Sequence, residues 1–216
     1  MGSERDVLLT QVARALGLQG RFDEAQEVLD LLPDDEDEEV RIRTMLERGR
    51  VLNSSGEPAL ARPEFEAALE AATTAGFDHL AIDALHMIAI VAPADEQDAL
   101  NRRALKLGES SADPRARQWR GSLLNNMGWT AFDRGDYEAA LQLFEEALAA
   151  REAQGRQPGI LVARWCVART LRALGRVDEE LVIQLELSAA HEAAGTTDSD
   201  VDEEIAACRA ALAQTS

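Results

Sequence analysis

The sequence predicts an all-α protein built from repeated pairs of antiparallel helices. Its 216 residues are 46% hydrophobic but only 4% aromatic, and helix-favouring alanine and leucine dominate the apolar positions. Glycines recur at positions 20, 56, 135 and 175, which are 36, 79 and 40 residues apart. Each follows one stretch of helical periodicity and precedes another, as expected where one helix ends and the next begins. The gap of 79 covers two periods, so an irregular copy is expected inside it.

The helix pairs can be assigned in order along the chain. Five pairs are predicted, over residues 6–40, 41–78, 79–116, 117–157 and 158–195. The third is shortened, because Pro93 ends its first helix early. An acidic connector over 33–39 separates the first two pairs, and residues 110–117 form another connector. A last helix over 199–214 begins with the capping box Ser199-x-x-Asp202 and closes the array, with Cys208 in its core.

The fourth copy resembles the tetratricopeptide repeat, with its pattern W-x2-L-G-x2-Y, A-x3-F and A. The matching residues are Gly128, Ala140, Phe144 and Ala147, and the small position of Gly128 is filled in other copies by Ala13, Gly49 and Ala168. The resemblance implies a right-handed superhelical solenoid in which residues 1–216 form one domain. Glu180 and Gln184 depart from the pattern, since the family has a small and an aromatic residue there. The long period is similar to that of bacterial regulators and kinesin light chains.

Charge and targeting signals exclude several classes of partner. The net charge is -18, from 40 acidic and 22 basic residues, which disfavours binding to nucleic acid or to an anionic membrane. The start of the chain lacks a signal peptide, and no apolar run is long enough to span a membrane. We therefore predict a cytoplasmic protein that binds neither nucleic acid nor membrane.

The sequence carries no signature of catalysis, metal binding or a cofactor. It has no glycine-rich phosphate loop, no H-E-x-x-H and no G-x-S-x-G, and its two cysteines lie far apart. His86 follows Asp83 by three residues, which allows an acid–base pair, but a structural or groove histidine is the simpler interpretation. We predict that the protein is not an enzyme and has no catalytic residue, metal site or cofactor.

The resemblance implies a concave groove lined by the first helix of each pair. The residue after each small position would point into this groove, which gives Arg14, Arg50, Ile90, Trp129 and Arg169. One turn earlier lie Thr10, Leu46, His86, Asn125 and Trp165, and one turn further out lie Arg43 and Arg172. On this register Trp129 belongs to the groove row rather than to the core row. Alternatively, the arginines pair with nearby acids, as Arg50 could with Glu47.

These side chains predict a protein-interaction scaffold or adaptor that binds an acidic peptide or protein segment. Arginine forks bind carboxylates, and tryptophan or asparagine can hold peptide side chains and backbone. Asn126 could match a groove asparagine that some family members use, with lysines, to bind a terminal carboxylate, but the lysines are absent here. Two alternatives remain open: a homo-oligomerising structural module and a regulatory domain that senses a ligand or peptide.

Overall fold

The computed structural model describes residues 2–33 and 37–215, and within these ranges it is all-α, with no strand. The middle of the predicted acidic connector, residues 34–36, lies outside the described residues. The Cα positions group into two compact units, Met1–Trp119 and Arg120–Ser216, which we call the first and the second unit. Their helices form a helical repeat of hairpins, as predicted. The single domain and the superhelical path stay predictions.

The helices of the first unit form three hairpins. They are α1 (Gly2–Leu18), α2 (Phe22–Asp30), α3 (Glu38–Ser54), α4 (Pro58–Ala75), α5 (Asp78–Val91), α6 (Ala94–Ser110) and the single turn α7 (Pro114–Arg117). As predicted, α5 ends just before Pro93. The connector over 110–117 was predicted without a helix, but α7 forms there because Ala116 is buried against α6, where a methyl group on Gly108 would lie 3.1 Å from Ala116 O.

The second unit has two hairpins and a closing helix. Its helices are α8 (Arg120–Asp133), α9 (Tyr137–Gln154), α10 (Gln157–Ala173), α11 (Val177–Ala193) and α12 (Ser199–Thr215). The turn between α8 and α9 is typical: Gly135 adopts the left-handed φ of 78°, and the Asp136 side chain accepts from Ala139 N. A left-handed residue lets the chain reverse while the last carbonyls of the first helix stay hydrogen-bonded.

The seam inside a hairpin pairs a small residue with a large one. A Cβ atom on Gly128 would lie 2.6 Å from the Phe144 ring, and one on Gly49 would lie 2.4 Å from the Phe65 ring. Phe65 and Phe144 are fully buried. The predicted close packing at these two glycines is confirmed, since neither site has room for a methyl group.

The fifth hairpin forms even though it departs from the repeat pattern. Glu180 and Gln184 on α11 are fully buried, and their side-chain oxygens and nitrogen have no hydrogen-bond partner among the described residues. Val201, Ile205 and Cys208 on α12 are buried against this hairpin region. The predicted core position of Cys208 is confirmed, and α12 covers the apolar face of the last hairpin.

Candidate functional site

A chain of ion pairs links the first helices of three consecutive hairpins in the first unit. Arg14 Nη1 on α1 lies 3.3 Å from Glu47 Oε1 on α3, and Arg50 Nη1 lies 2.7 Å from the same oxygen. Arg50 Nη2 donates to Asp83 Oδ1 on α5 at 2.5 Å. Two guanidinium groups therefore face two carboxylates, and the positive charge predicted for this row is balanced locally.

Arg50 is the most enclosed member of this chain. Its side chain is 13% exposed, against 44% for Arg14. Burial acts to lower the pKa of Arg50, but the carboxylates of Asp83 and Glu47 outweigh it and raise that pKa above its usual value. Burial raises the pKa of Glu47 against the opposing charge of Arg50. Both terminal nitrogens of Arg50 therefore already donate to carboxylates of the protein.

The other predicted residues of the first unit are also engaged locally. Arg43 Nη2 lies 2.7 Å from Glu39 Oε1, four residues earlier on α3. His86 packs against Trp119, with ring centroids 5.3 Å apart. Burial lowers the pKa of His86, although Asp83 opposes this, so the imidazole favours its neutral form. His86 is thus placed as a half-buried packing residue.

The second unit brings its predicted aromatic residues together. Trp129 on α8 lies 6.2 Å from Trp165 on α10, measured between ring centroids, and 5.2 Å from both Phe132 and Phe144. In each of these contacts the two rings are edge to face or tilted, which are arrangements that aromatic pairs favour. Trp129 is half-buried, and Phe144 belongs to the core. The prediction that Trp129 stands apart from the core row is therefore wrong, because the indole packs against the core. Its place in a binding groove stays a prediction.

The two predicted asparagines lie beside this aromatic group on α8. Asn125 Oδ1 accepts from Cys166 Sγ at 3.4 Å, and burial raises the pKa of the Cys166 thiol to about 11, which keeps the donor protonated. The backbone oxygen of Asn126 accepts from Thr130 Oγ1 at 3.1 Å. Both asparagine side chains are half-buried.

Arg169 and Arg172 on α10 share a single carboxylate, that of Glu204 on α12. Arg169 Nη1 lies 3.8 Å from Glu204 Oε1, and Arg172 Nη1 is paired with Glu204 Oε2. Their side chains are 39% and 35% exposed. Burial raises the pKa of the nearby Glu180 carboxyl, against the charges of Arg172 and Arg169, which act to lower it. Two partly exposed cations therefore share one carboxylate as their ion-pair partner.

Some positions of the predicted groove are wrong. Thr10 and Leu46 are fully buried, because this row turns into the seam between neighbouring hairpins in the first unit. The sequence alone did not identify the three carboxylates that pair with the predicted arginines, which are Glu47, Asp83 and Glu204. A repeated offset would have identified two of them: Glu47 follows Arg14, and Asp83 follows Arg50, by 33 residues. That offset is about one repeat and places each pair on consecutive first helices.

Two segments of the chain match family models of the tetratricopeptide repeat, over residues 9–30 and 121–153. They coincide with the hairpins α1–α2 and α8–α9. The chain contains tetratricopeptide repeats. No curated protein matches the sequence. None of the described helices of this tetratricopeptide repeat protein is long and apolar enough to cross a membrane.

Solved structures of other helical repeat proteins are similar to this tetratricopeptide repeat protein. BtubC (BKLC) from P. vanneervenii is 16% identical, with a TM-score of 0.68, and the match covers 88% of this chain and 81% of that one. The STAND ATPase with a tetratricopeptide repeat sensor from Pyrococcus horikoshii is 14% identical, with a TM-score of 0.71, over 97% of this chain and 31% of that one. The apo quorum sensor NprR from B. thuringiensis is 13% identical, with a TM-score of 0.56, over 94% and 68%. At these identities the similarity shows the fold.

Proposed function

We propose that this chain is a non-catalytic, cytoplasmic interaction module that binds a peptide or protein segment on the first helices of its second unit. The observation that carries the proposal is the continuous set of Trp129, Trp165, Arg169 and Arg172 on α8 and α10. Tryptophan and arginine are the residue types that contribute most often to binding energy at protein interfaces. Here they are neighbours and only partly buried.

The electrostatics of the second unit support an acidic group in the ligand. Arg169 and Arg172 share the carboxylate of Glu204 as their ion-pair partner, so a ligand carboxylate would supply a second partner. In the first unit the guanidiniums of Arg14 and Arg50 already have two carboxylates. We therefore assign the acidic part of the predicted ligand to the second unit, and not to the arginines of the first.

Two of the similar proteins support a sensing role for such binding. The P. horikoshii protein is described as having a tetratricopeptide repeat sensor, and NprR is described as a quorum sensor. In this form of the proposal the bound segment is a signal, and the module reports its presence to a partner.

The proposal is tested by affinity capture with a matched pair of arginine variants. Arg169→Ala removes a partly exposed cation whose ion pair with Glu204 is long, at 3.8 Å, so the fold should be unaffected. Arg209→Ala removes an exposed cation from α12, away from the tryptophans. We expect Arg209→Ala to capture the same partners as the wild-type protein. The affinity of Arg169→Ala for these partners should be lower by more than about tenfold. If Arg169→Ala captures the same partners with equal affinity, the proposed surface is wrong.

Self-association is a second candidate function, supported by the outer face of α1. Leu8 and Val12 lie one turn apart on that helix, and both are exposed large hydrophobic residues. An exposed apolar strip of this kind can dock against another copy of the chain. Light scattering of the wild-type protein should then show a dimer that Leu8→Lys dissociates, whereas a wild-type monomer at all concentrations would exclude this function.

A further inference from the structure

An apolar pocket of about 540 Å³ lies in the second unit among α10, α11 and the beginning of α12. Its apolar lining includes Pro158, Leu161, Val162, Trp165, Leu187 and Val201. The volume is in the range of about 300–1,000 Å³ that holds small ligands and large side chains. Val162 is 59% exposed, so burying it under a ligand would remove apolar surface from water.

The charged residues that line this pocket are acidic. They are Asp198 and Asp200, and His191 lies with them, but among the residues that the structure describes no lysine or arginine lines the pocket. Asp198 is already engaged, because its Oδ1 accepts from Asp200 N at 3.0 Å and its Oδ2 lies 3.7 Å from His191 Nε2. The Asp200 side chain is exposed at the start of α12 and makes no hydrogen bond or ion pair within the described part of the chain.

We propose that this pocket binds a large apolar side chain of a peptide whose adjacent residue is lysine or arginine. The apolar walls select the first side chain, and Asp200 supplies the opposite charge for the second. This inference rests on the proposed function, because it specifies part of the peptide bound by the second unit.

The same helix also fixes where an acidic residue of that peptide would lie. Trp165 of the pocket and Arg169 are four residues apart on α10, which is about 6 Å along the helix axis. An extended peptide advances about 3.3 Å per residue. The bound peptide therefore carries its apolar residue and the neighbouring basic residue at the pocket. An acidic residue two to four positions away lies beside Arg169 and Arg172.

The test is selection from a random library of nine-residue peptides with acetylated and amidated ends. We expect the selected peptides to share one large apolar residue next to lysine or arginine. Val162→Arg places a charged side chain in the pocket and should weaken these peptides more than about tenfold. Val182→Arg is the matched control, because Val182 is 57% exposed on the neighbouring helix α11 and does not line the pocket; it should leave affinity unchanged.

A second pair of variants tests the charge. Asp200→Asn should weaken a selected peptide about two- to fivefold, which is the effect of losing one exposed ion pair. Glu203→Gln, an exposed neighbour on α12 that does not line the pocket, should have no effect. Replacing the basic residue of the peptide by norleucine should remove the sensitivity to Asp200→Asn.

Three outcomes would overturn the pocket assignment: peptides that bind Val162→Arg as well as wild type, peptides with aspartate or glutamate beside the apolar residue, or the selection of no peptide. Peptides that depend on Arg169 but not on Val162 would reject the pocket while supporting the proposed function. Peptides that depend on neither residue, or a failed selection, would reject both.

Discussion

Arg50 Nη2 on α3 donates to Asp83 Oδ1 on α5 at 2.5 Å, so a salt bridge joins two consecutive helical hairpins. Both side chains are 13% exposed. The same arginine also holds Glu47 on its own helix. Arg50, which the sequence places on a binding surface, thus links two neighbouring hairpins.

We expect Arg50→Ala to destabilise the protein by about 3–5 kcal/mol. The substitution removes the ion-pair partner of Asp83, and it leaves the buried Glu47 with only the more exposed Arg14. Breaking a buried ion pair on one side is costly because the remaining charge is uncompensated. Urea unfolding monitored by circular dichroism measures the change.

Arg48→Ala on the same helix is the control for this experiment. Arg48 is more exposed and makes one contact of 3.4 Å with Asp30, so we expect a loss below about 1 kcal/mol. Equal stabilities for the two variants would contradict the structural role of Arg50.

Gly128→Ala should destabilise the protein because the added methyl group would collide with Phe144. The expected loss is about 1–3 kcal/mol, the usual cost of overpacking a core. In a Phe144→Leu background the collision is relieved, and the higher helix propensity of alanine, worth up to about 1 kcal/mol, should make the same change neutral or stabilising. A double-mutant cycle by chemical unfolding measures this reversal of sign.

Gly17→Ala provides the control for that cycle. Its nearest non-local atom would be Val51 Cγ2 at 3.7 Å, an ordinary contact. We expect this variant to be at least as stable as the wild type, and a loss as large as that of Gly128→Ala would show that sterics at Phe144 are not the cause.

Trp129→Ala should lower both stability and ligand affinity. The indole packs on Phe132, Phe144 and Trp165, so we expect a loss of about 2 kcal/mol, less than for a fully buried tryptophan. Trp129→Phe should keep most of the stability. Thermal unfolding and peptide titration of both variants separate the two contributions. An unchanged melting temperature for Trp129→Ala would show that the indole does not stabilise the core.

Glu180→Gln should make the protein more stable at neutral pH, by about 1–3 kcal/mol. Burial raises the pKa of Glu180 above its usual value near 4.5, so the folded state holds this proton to a higher pH than the unfolded state does. The wild-type stability therefore falls as the pH rises from about 4.5 through the folded pKa. The variant cannot titrate there, so its advantage should grow over that window and vanish at lower pH.

Glu186→Gln, at an exposed position of the same helix, controls for the change in net charge. Unfolding free energies of the three proteins measured from pH 4 to pH 8 test the prediction. A constant difference between Glu180→Gln and wild type across that range would show that the buried carboxyl does not titrate differently on folding.

The sequence determined the repeated hairpin by local rules. Apolar residues at helical spacing define each helix, and glycines 20, 56, 135 and 175 adopt left-handed φ values at the turns. Pro93 marks the short α5, and Cys208 lies on the buried stripe of α12. These features depend on residues within one or two turns of each other, so a single sequence is enough to predict them.

The tertiary structure decided which side chains are available for binding. The stacking of two hairpins decides whether Arg50 is free to bind a ligand or is paired with Asp83. The strength of such a salt bridge changes when the distance between donor and acceptor atoms changes by a few tenths of an ångström. The apolar pocket likewise needs α10, α11 and the start of α12 to come together. Helical periodicity fixes the face of each helix, but the contacts between faces are set by packing between residues on different helices, such as Arg50 and Asp83, which are 33 positions apart.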